Sequence, residues 1–476
     1  MVDVVEGIMP DKVLLRQEMS RISELLIARY CGKNGLLVEY VDAAKSEILR
    51  RGSVVQDFGD YAQNVAFAGK LLGRRDWVDW AVGQIGIGSK LFQTREGYFL
   101  PDGSTDVQEN SRPKFKYFRL EDNQDLVMGI LSVYRLSGDK MLLDIAGRLM
   151  DFVFGHSENN NRLYANVFFL TPWKAVVLPY HLPCGVFIEE MANLSRITQD
   201  RTYQDRAMAS IKVWDSNKVY SNTGIFPVAA PAYSGWTSFV GGALTAIDFN
   251  GTGKKCRVSL MIKSNTNMLS AMLELYRQTG DSDIRQRINR WLEFVQENLM
   301  DERGFFYGAW DHSGRRRQSG KYPLAENGHI SNIFLDAAVF LKEDSLLVAV
   351  NKNLDFWLAN RTPLGLFPEM KSDWPAAVLL DSQVDMSIVF LKAYNVTGDQ
   401  RYLTAVVDGT KALIKHFRAP GGWFWAIDGK TGQPVKDKIF TKYLALSLKL
   451  LALLDAVMDG KNIYNDPDLF DLSRDR

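Results

Sequence analysis

The sequence is poor in the residues that usually announce a chemistry. Cysteine occurs only at Cys31, Cys184 and Cys256, far apart and odd in number. That argues against a disulfide framework and fits a reducing compartment. Histidine is limited to five residues, and there is no His-Glu-x-x-His, no Cys-x-x-Cys and no Cys-His spacing suited to zinc. Neither sign of charge dominates, the net being +1. Composition therefore gives no electrostatic case for a nucleic acid or an acidic membrane surface as partner. No run reaches the roughly 20 uninterrupted apolar residues of a membrane span. The opening, Met1-Val-Asp-Val-Val-Glu-Gly7, lacks the basic and apolar regions of a secretory signal. Gly251-Thr-Gly-Lys254 lacks the flanking Gly and Ser/Thr of a phosphate loop. The expectation is a cytoplasmic protein needing no cofactor and no metal.

What is present is a repeat. Glu121-Asp122-Asn123-Gln124-Asp125 opens an apolar helix that stops at Gly138-Asp139, where the next helix starts. The same stop follows Tyr276 at Gly280-Asp281 and Tyr394 at Gly398-Asp399, with looser copies at Arg75-Asp76, Gln199-Asp200 and Glu343-Asp344. Gly suits the left-handed position that closes one helix, and Asp accepts from the free N–H groups that open the next. The period is roughly 60 residues. A second signal alternates with the first: Gly97-Tyr-Phe-Leu100, Gly224-Ile-Phe-Pro227, Gly304-Phe-Phe-Tyr307, Gly365-Leu-Phe-Pro368 and Gly422-Trp-Phe-Trp425 read as extended turns.

Helical periodicity starts at 12–30 and 57–73, with a third helix after Asp76. Apolar helices then follow at about 121–137, 184–198, 261–279, 327–342, 381–397 and 438–458, interleaved with amphipathic ones at about 140–155, 200–218, 282–299, 345–359 and 400–416. A helix apolar nearly all round belongs inside, and a striped one outside. Two such layers predict an all-α fold, a closed α/α toroid of six or seven hairpins with short β elements in the loops of one face, the open solenoid being the competing architecture. One domain would span 1–476, ending in a tail at 461–476. Connections into the inner helices are long, above all 219–260, which is expected to overhang the groove as a lid. Such loops on a rigid scaffold are where binding and catalysis collect.

These Tyr-x-x-Thr-Gly-Asp turns and Gly-aromatic elements resemble the six- and seven-hairpin carbohydrate enzymes, among them unsaturated glucuronyl hydrolases, seven-hairpin α-mannosidases and N-acylglucosamine 2-epimerases. The run from Glu121 to Asp125 is similar to the acidic helix opening of the glucuronyl hydrolases. There an Asp is the acid/base, which the resemblance carries to Asp122 or to Asp125. The Arg-Gly-Asn-Gly-Trp run of that group has no copy here.

Glycoside cleavage needs two carboxyl groups. Asp122 is the expected acid/base, with Glu326 or Asp381 as partner; helix capping is the competing role for each. His181 and His329 are substrate contacts in this reading, or the acid/base pair of a sugar epimerase; a lyase would use His181, His329 or Tyr180. The expected substrate-binding set is Asp57, Arg119, Tyr180, Trp236, Lys263, Trp310, Trp374 and Trp425. Indoles offer faces for pyranose C–H groups, and basic residues on the same face favour an acidic sugar. The sequence thus points to a glycoside hydrolase with a carbohydrate substrate. A sugar epimerase or polysaccharide lyase is the enzymatic alternative, and a helical-repeat binding scaffold the non-enzymatic one.

Overall fold

The computed structural model describes residues 12–32, 35–50, 55–100, 117–157, 167–170, 175–177, 180–181, 184–226, 230–231, 262–310, 316–317, 323–370 and 376–474. Among them, seven inner helices form a ring: α2 (Val55–Leu72), α4 (Leu120–Ser137), α6 (Gly185–Thr198), α9 (Ile262–Thr279), α11 (Pro323–Leu341), α13 (Leu380–Thr397) and α15 (Thr441–Met458). Each packs against the next, and α15 packs against α2, so the ring is closed. The outer layer is α1 (Lys12–Glu24), α3 (Arg75–Phe92), α5 (Lys140–Phe152), α7 (Arg201–Lys212), α10 (Ser282–Asn298), α12 (Ser345–Ala359) and α14 (Gln400–His416). Two short helices, α8 (Lys218–Thr223) and α16 (Pro467–Ser473), lie outside this alternation.

The layers follow from the pattern of side chains. On α10 the buried residues are Ile284, Arg287, Ile288, Trp291, Leu292 and Val295, a single stripe at helical spacing. On α15 burial extends almost continuously from Leu444 to Val457. The Gly-Asp turns behave as their chemistry requires. Gly138 and Gly398 close their helices at φ 73° and 74°, and Asp139 and Asp399 each accept from a backbone N–H of the helix they open, both at 2.9 Å. Two looser copies differ: Asp76 lies inside α3, and the Asp344 side chain makes no cap.

The ring is sealed where the last repeat meets the first. Strand Tyr40–Asp42 pairs antiparallel with Lys438–Phe440, and α1 lies along α15, where Arg16 Nε donates to Asp455 at 3.1 Å. Trp423 Nε1 donates to Glu18 at 2.6 Å, and Tyr30 Oη to the Gly421 carbonyl at 2.5 Å. Trp423 and Tyr98, both in the Gly-aromatic extended turns, are fully buried in the core. The stretch read as a C-terminal tail is built into the ring: Asp471 pairs with Arg135, Arg474 with Glu189 and Glu274, and Lys449 Nζ donates to the Arg474 carbonyl.

Helix boundaries agree with the periodicity to within a few residues, with two informative exceptions. The inner helix expected from 327 starts at Pro323, a residue suited to a first turn because it has no N–H to leave unpaired. Glu326 therefore sits within that turn rather than ahead of it. The outer helix expected over 200–218 is broken by a tighter turn at Val213–Ser216. Most of the connection read as a lid, 227–229 and 232–261, lies outside the described residues.

Candidate active site

The first turns of the inner helices all open at one end of the ring, and a repeated amide clasp fixes them there. Asn123 Oδ1 accepts from Phe99 N at 2.9 Å while its Nδ2 donates to Phe99 O at 3.2 Å. Asn265 does the same with Phe226, at 2.9 and 2.8 Å. Asn327 clasps Phe306 at 2.8 and 2.9 Å, and Gln383 clasps Phe367 at 3.1 and 2.7 Å. Each clasp ties the second residue after a turn glycine to the start of an inner helix. One or two residues before each amide stands a charged side chain: Asp122, Lys263, Glu326 and Asp381.

Those residues fall into two groups. In the first, Lys442 at the start of α15 reaches α2, with Nζ 3.0 Å from Asp57 Oδ1 and 2.8 Å from Asp60 Oδ2. Burial raises the Asp57 carboxyl to about 6, Lys442 opposing and Asp60 reinforcing the shift. Asp125 is pushed up to about 7, again by burial, with Lys263 and Lys442 working against it and Asp60 and Asp122 with it. Asp381 is raised by burial as well, and feels both lysines. Arg119, at the N-terminal boundary of α4, lies 3.6 Å from Asp122. Charges from α2, α4, α9, α13 and α15 thus meet in one mouth.

The second group is Glu326 with Glu369. Burial pushes the Glu326 carboxyl up to about 8, and the charge of Glu369 adds to the shift. Glu369 is fully buried, and its Oε2 accepts from Leu324 N at 3.4 Å. Gly308 forms the adjoining wall. A Cβ there would stand 2.0 Å from Glu326 Oε2, so the carboxyl lies directly on a side-chain-free backbone. His329 follows Glu326 by one turn of α11 and is half-buried.

The mouth also holds polar atoms buried without a hydrogen-bond partner among the described residues: Asp381 Oδ1 and Trp425 Nε1. Their segments are joined, Leu380 N donating to the Trp425 carbonyl at 2.9 Å. The Trp425 ring lies 5.5 Å from Phe440, and the Lys436 ammonium is 5.4 Å from its centroid.

Of the residues singled out by sequence, the structure brings together Asp57, Asp122, Asp381, Lys263, Arg119 and Trp425, and sets Glu326 and His329 on the adjoining helix. Tyr180 and His181 form a strand paired with Ala230–Pro231, and Trp310 a strand residue opposite Arg316. Trp236 and Trp374 lie outside the described residues. Glu189 and Glu190 belong to the interior of α6, not to the mouth. Glu189 pairs with Arg474 and accepts from Ser270 at 3.0 Å, and Glu190 accepts from Asn193 at 3.2 Å. Glu369 was missed. Its signal is slight, a carboxylate directly after Gly365-Leu-Phe-Pro368 where the other extended turns have none.

Comparison with known proteins gives the same architecture. The pattern of Glycosyl hydrolase family 47 matches residues 121–262. The α-1,2-mannosidase from Trichoderma reesei superposes with a TM-score of 0.64 at 12% identity, covering 94% of this chain and 93% of that one. A D-mannose isomerase gives 0.60 at 12% identity, over 93% and 98%. Cellobiose 2-epimerase from Bacillus thermoamylovorans gives 0.57 at 16% identity, over 77% and 94%. No curated protein matches by sequence. The fold is that of the α/α-toroid carbohydrate-active enzymes. No helix among the described residues is long and apolar enough to cross a membrane.

Proposed function

We propose that this toroid is a carbohydrate-active enzyme, a glycoside hydrolase that cleaves an oligosaccharide bound across the acidic mouth. The observation that carries the reading is the Glu326 carboxyl, raised to about 8 by burial and by Glu369. A carboxyl group still protonated at neutral pH is what a general acid requires to protonate a glycosidic oxygen as it leaves. The partner is Asp122, whose pairing with Arg119 suits an ionised group that activates water or attacks the anomeric carbon. Asp381 Oδ1 and Trp425 Nε1, an acceptor and a donor without partners among the described residues, supply hydrogen bonds to sugar hydroxyls. The partial match to Glycosyl hydrolase family 47 supports hydrolysis over the alternatives. The basic residues of the mouth, Arg119, Lys263 and Lys442, keep an acidic sugar within the substrate class.

A second reading is sugar epimerisation, favoured by His329 one turn beyond Glu326 and by the likeness to a D-mannose isomerase and a cellobiose 2-epimerase. Product masses separate the two. Incubation with manno-oligosaccharides and with uronate-containing oligosaccharides is expected to add one water per bond cleaved. Products of unchanged mass and altered stereochemistry would replace the hydrolase reading with the epimerase. Unsaturated products absorbing in the ultraviolet would replace it with a lyase, and no turnover across the panel with a binding scaffold.

A further inference from the structure

The opposite end of the ring holds a second site. A cavity of about 620 Å³ lies among the last turns of α4, α6, α9 and α11, the first residues of α7, and α16. That is within the roughly 300–1,000 Å³ range of small-molecule sites. It is separated from the acidic mouth by the length of the inner helices, about 27 Å for 18 residues at 1.5 Å each. It therefore stands independently of the reading given to the mouth.

Its charge is out of balance. Five guanidiniums line it, those of Arg135, Arg196, Arg201, Arg277 and Arg474. Two of them are structural: Arg135 is held by Asp471, and Arg474 is buried between Glu189 and Glu274. Glu274 is also the counter-charge for Arg277 at 3.0 Å and Arg196 at 4.0 Å, so with Arg474 one carboxylate serves three arginines. Asp468, the remaining acid of the wall, is paired with Lys70 on the far side. Arg277 is braced over the Phe340 ring at 4.3 Å, which fixes the plane of its fork. Arg196 and Arg277 keep 51% and 40% of their side chains exposed, and Arg201 is exposed too.

We propose that this cavity binds a small phosphate monoester, its phosphoryl group held by Arg196, Arg201 and Arg277. Planar guanidinium forks lining one cavity suit phosphate oxygens, each fork able to give two parallel N–H bonds. The space is far larger than a phosphate ion needs, so the remainder of the cavity, polar on most of its wall, accommodates a hydrophilic body such as a sugar ring. The three arginines come from three segments, α6, the first turn of α7 and α9, and lie at the end of the ring away from the catalytic carboxylates.

Isothermal titration calorimetry of the intact protein at low salt tests this with glucose 6-phosphate, inorganic phosphate and glucose. Glucose 6-phosphate is expected to bind saturably, phosphate more weakly, and glucose with no comparable heat. Arg196→Gln and Arg201→Gln, both at exposed positions, are expected to weaken the ester about tenfold each while leaving the melting temperature of the free protein in place. Glucose binding as tightly as its phosphate would move the ligand to the mouth and overturn the proposal. So would an absence of saturable binding, phosphate matching the ester, or full affinity in the double variant.

Discussion

Lys442 reaches across the seam between the last and first repeats, its Nζ 2.8 Å from Asp60 Oδ2. The same ammonium contacts Asp57 and influences Asp125 and Asp381, so one cation organises carboxylates from three helices. Lys442→Met keeps the length of the stem and removes the charge. The carboxyls it opposes should then rise further above their ordinary range and bind protons at higher pH. Stability should fall, though by less than the about 3–5 kcal/mol of a fully buried pair, because the side chain keeps 29% of its surface in water. Urea unfolding at pH 7 and pH 5 measures this. The deficit should shrink at pH 5, where protonation neutralises the stranded acids; an equal deficit at both would show that Lys442 acts by packing alone.

Asn327 holds more than its clasp partner. Besides the pair to Phe306, its Oδ1 accepts from Asn353 Nδ2 at 2.7 Å. Asn327→Leu leaves two buried backbone groups of Phe306 and one amide of Asn353 without that partner. At about 1–3 kcal/mol for a stranded buried group, the loss should exceed 2 kcal/mol. Activity should drop too, since Glu326 is the preceding residue. Asn→Leu at Asn360, a half-exposed residue whose bond is to the nearby Phe356 carbonyl, is the control and should change little. A variant at 327 as stable as the control would reduce the clasp to a coincidence of geometry.

The clasps also show which parts of the site could be read from sequence. The layers, the turns and most helix limits were legible because each rests on local chemistry: helical periodicity, a left-handed glycine, an Asp cap. Asp122, Glu326 and Asp381 were legible as acids at inner-helix starts. The clasps were not, because Phe99 and Asn123, or Phe226 and Asn265, are joined across connections of very different length. Only the recurrence of an Asn or Gln near each helix start betrays them. Glu369 was hidden for a related reason: its importance lies in standing beside Glu326, and proximity between segments has no local signature.

The raised carboxyls give the fold a direction of pH dependence. Glu326, Asp125 and Asp57, at about 8, 7 and 6, hold protons in the folded protein that the unfolded chain releases near pH 4 to 4.5. Where the native state binds more protons, stability falls as pH rises, by about 1.4 kcal/mol per pH unit for each such group within its window. The melting temperature should therefore decline from pH 5 to pH 8. Below about pH 4.5 the sign reverses. Glu274, held down at about 2 against its burial by Arg474 and Arg277, contributes stability that is lost as pH falls through that value. Glu326→Gln should flatten the decline above pH 5, since it removes the group with the widest window. A melting temperature that rises steadily from pH 5 to pH 8 would contradict these shifts.

Kinetics separates the roles given to Glu326 and Asp122. If Glu326 is the general acid, kcat/KM for an oligosaccharide should fall on an alkaline limb near pH 8, where its proton is lost. Glu326→Gln should remove that limb together with about 100- to 10,000-fold of the rate. The decisive comparison uses an aryl glycoside of the same sugar, whose nitrophenolate departs without being protonated. There Glu326→Gln should lose far less, because no acid is needed, whereas Asp122→Asn should lose as much as on the natural substrate, because water or the anomeric carbon must still be engaged. Only Glu326→Gln therefore responds to the leaving group. Equal losses on both substrates for Glu326→Gln would take the proton donor away from Glu326, and Asp125, the other carboxyl raised to near neutrality, would be the next position to substitute.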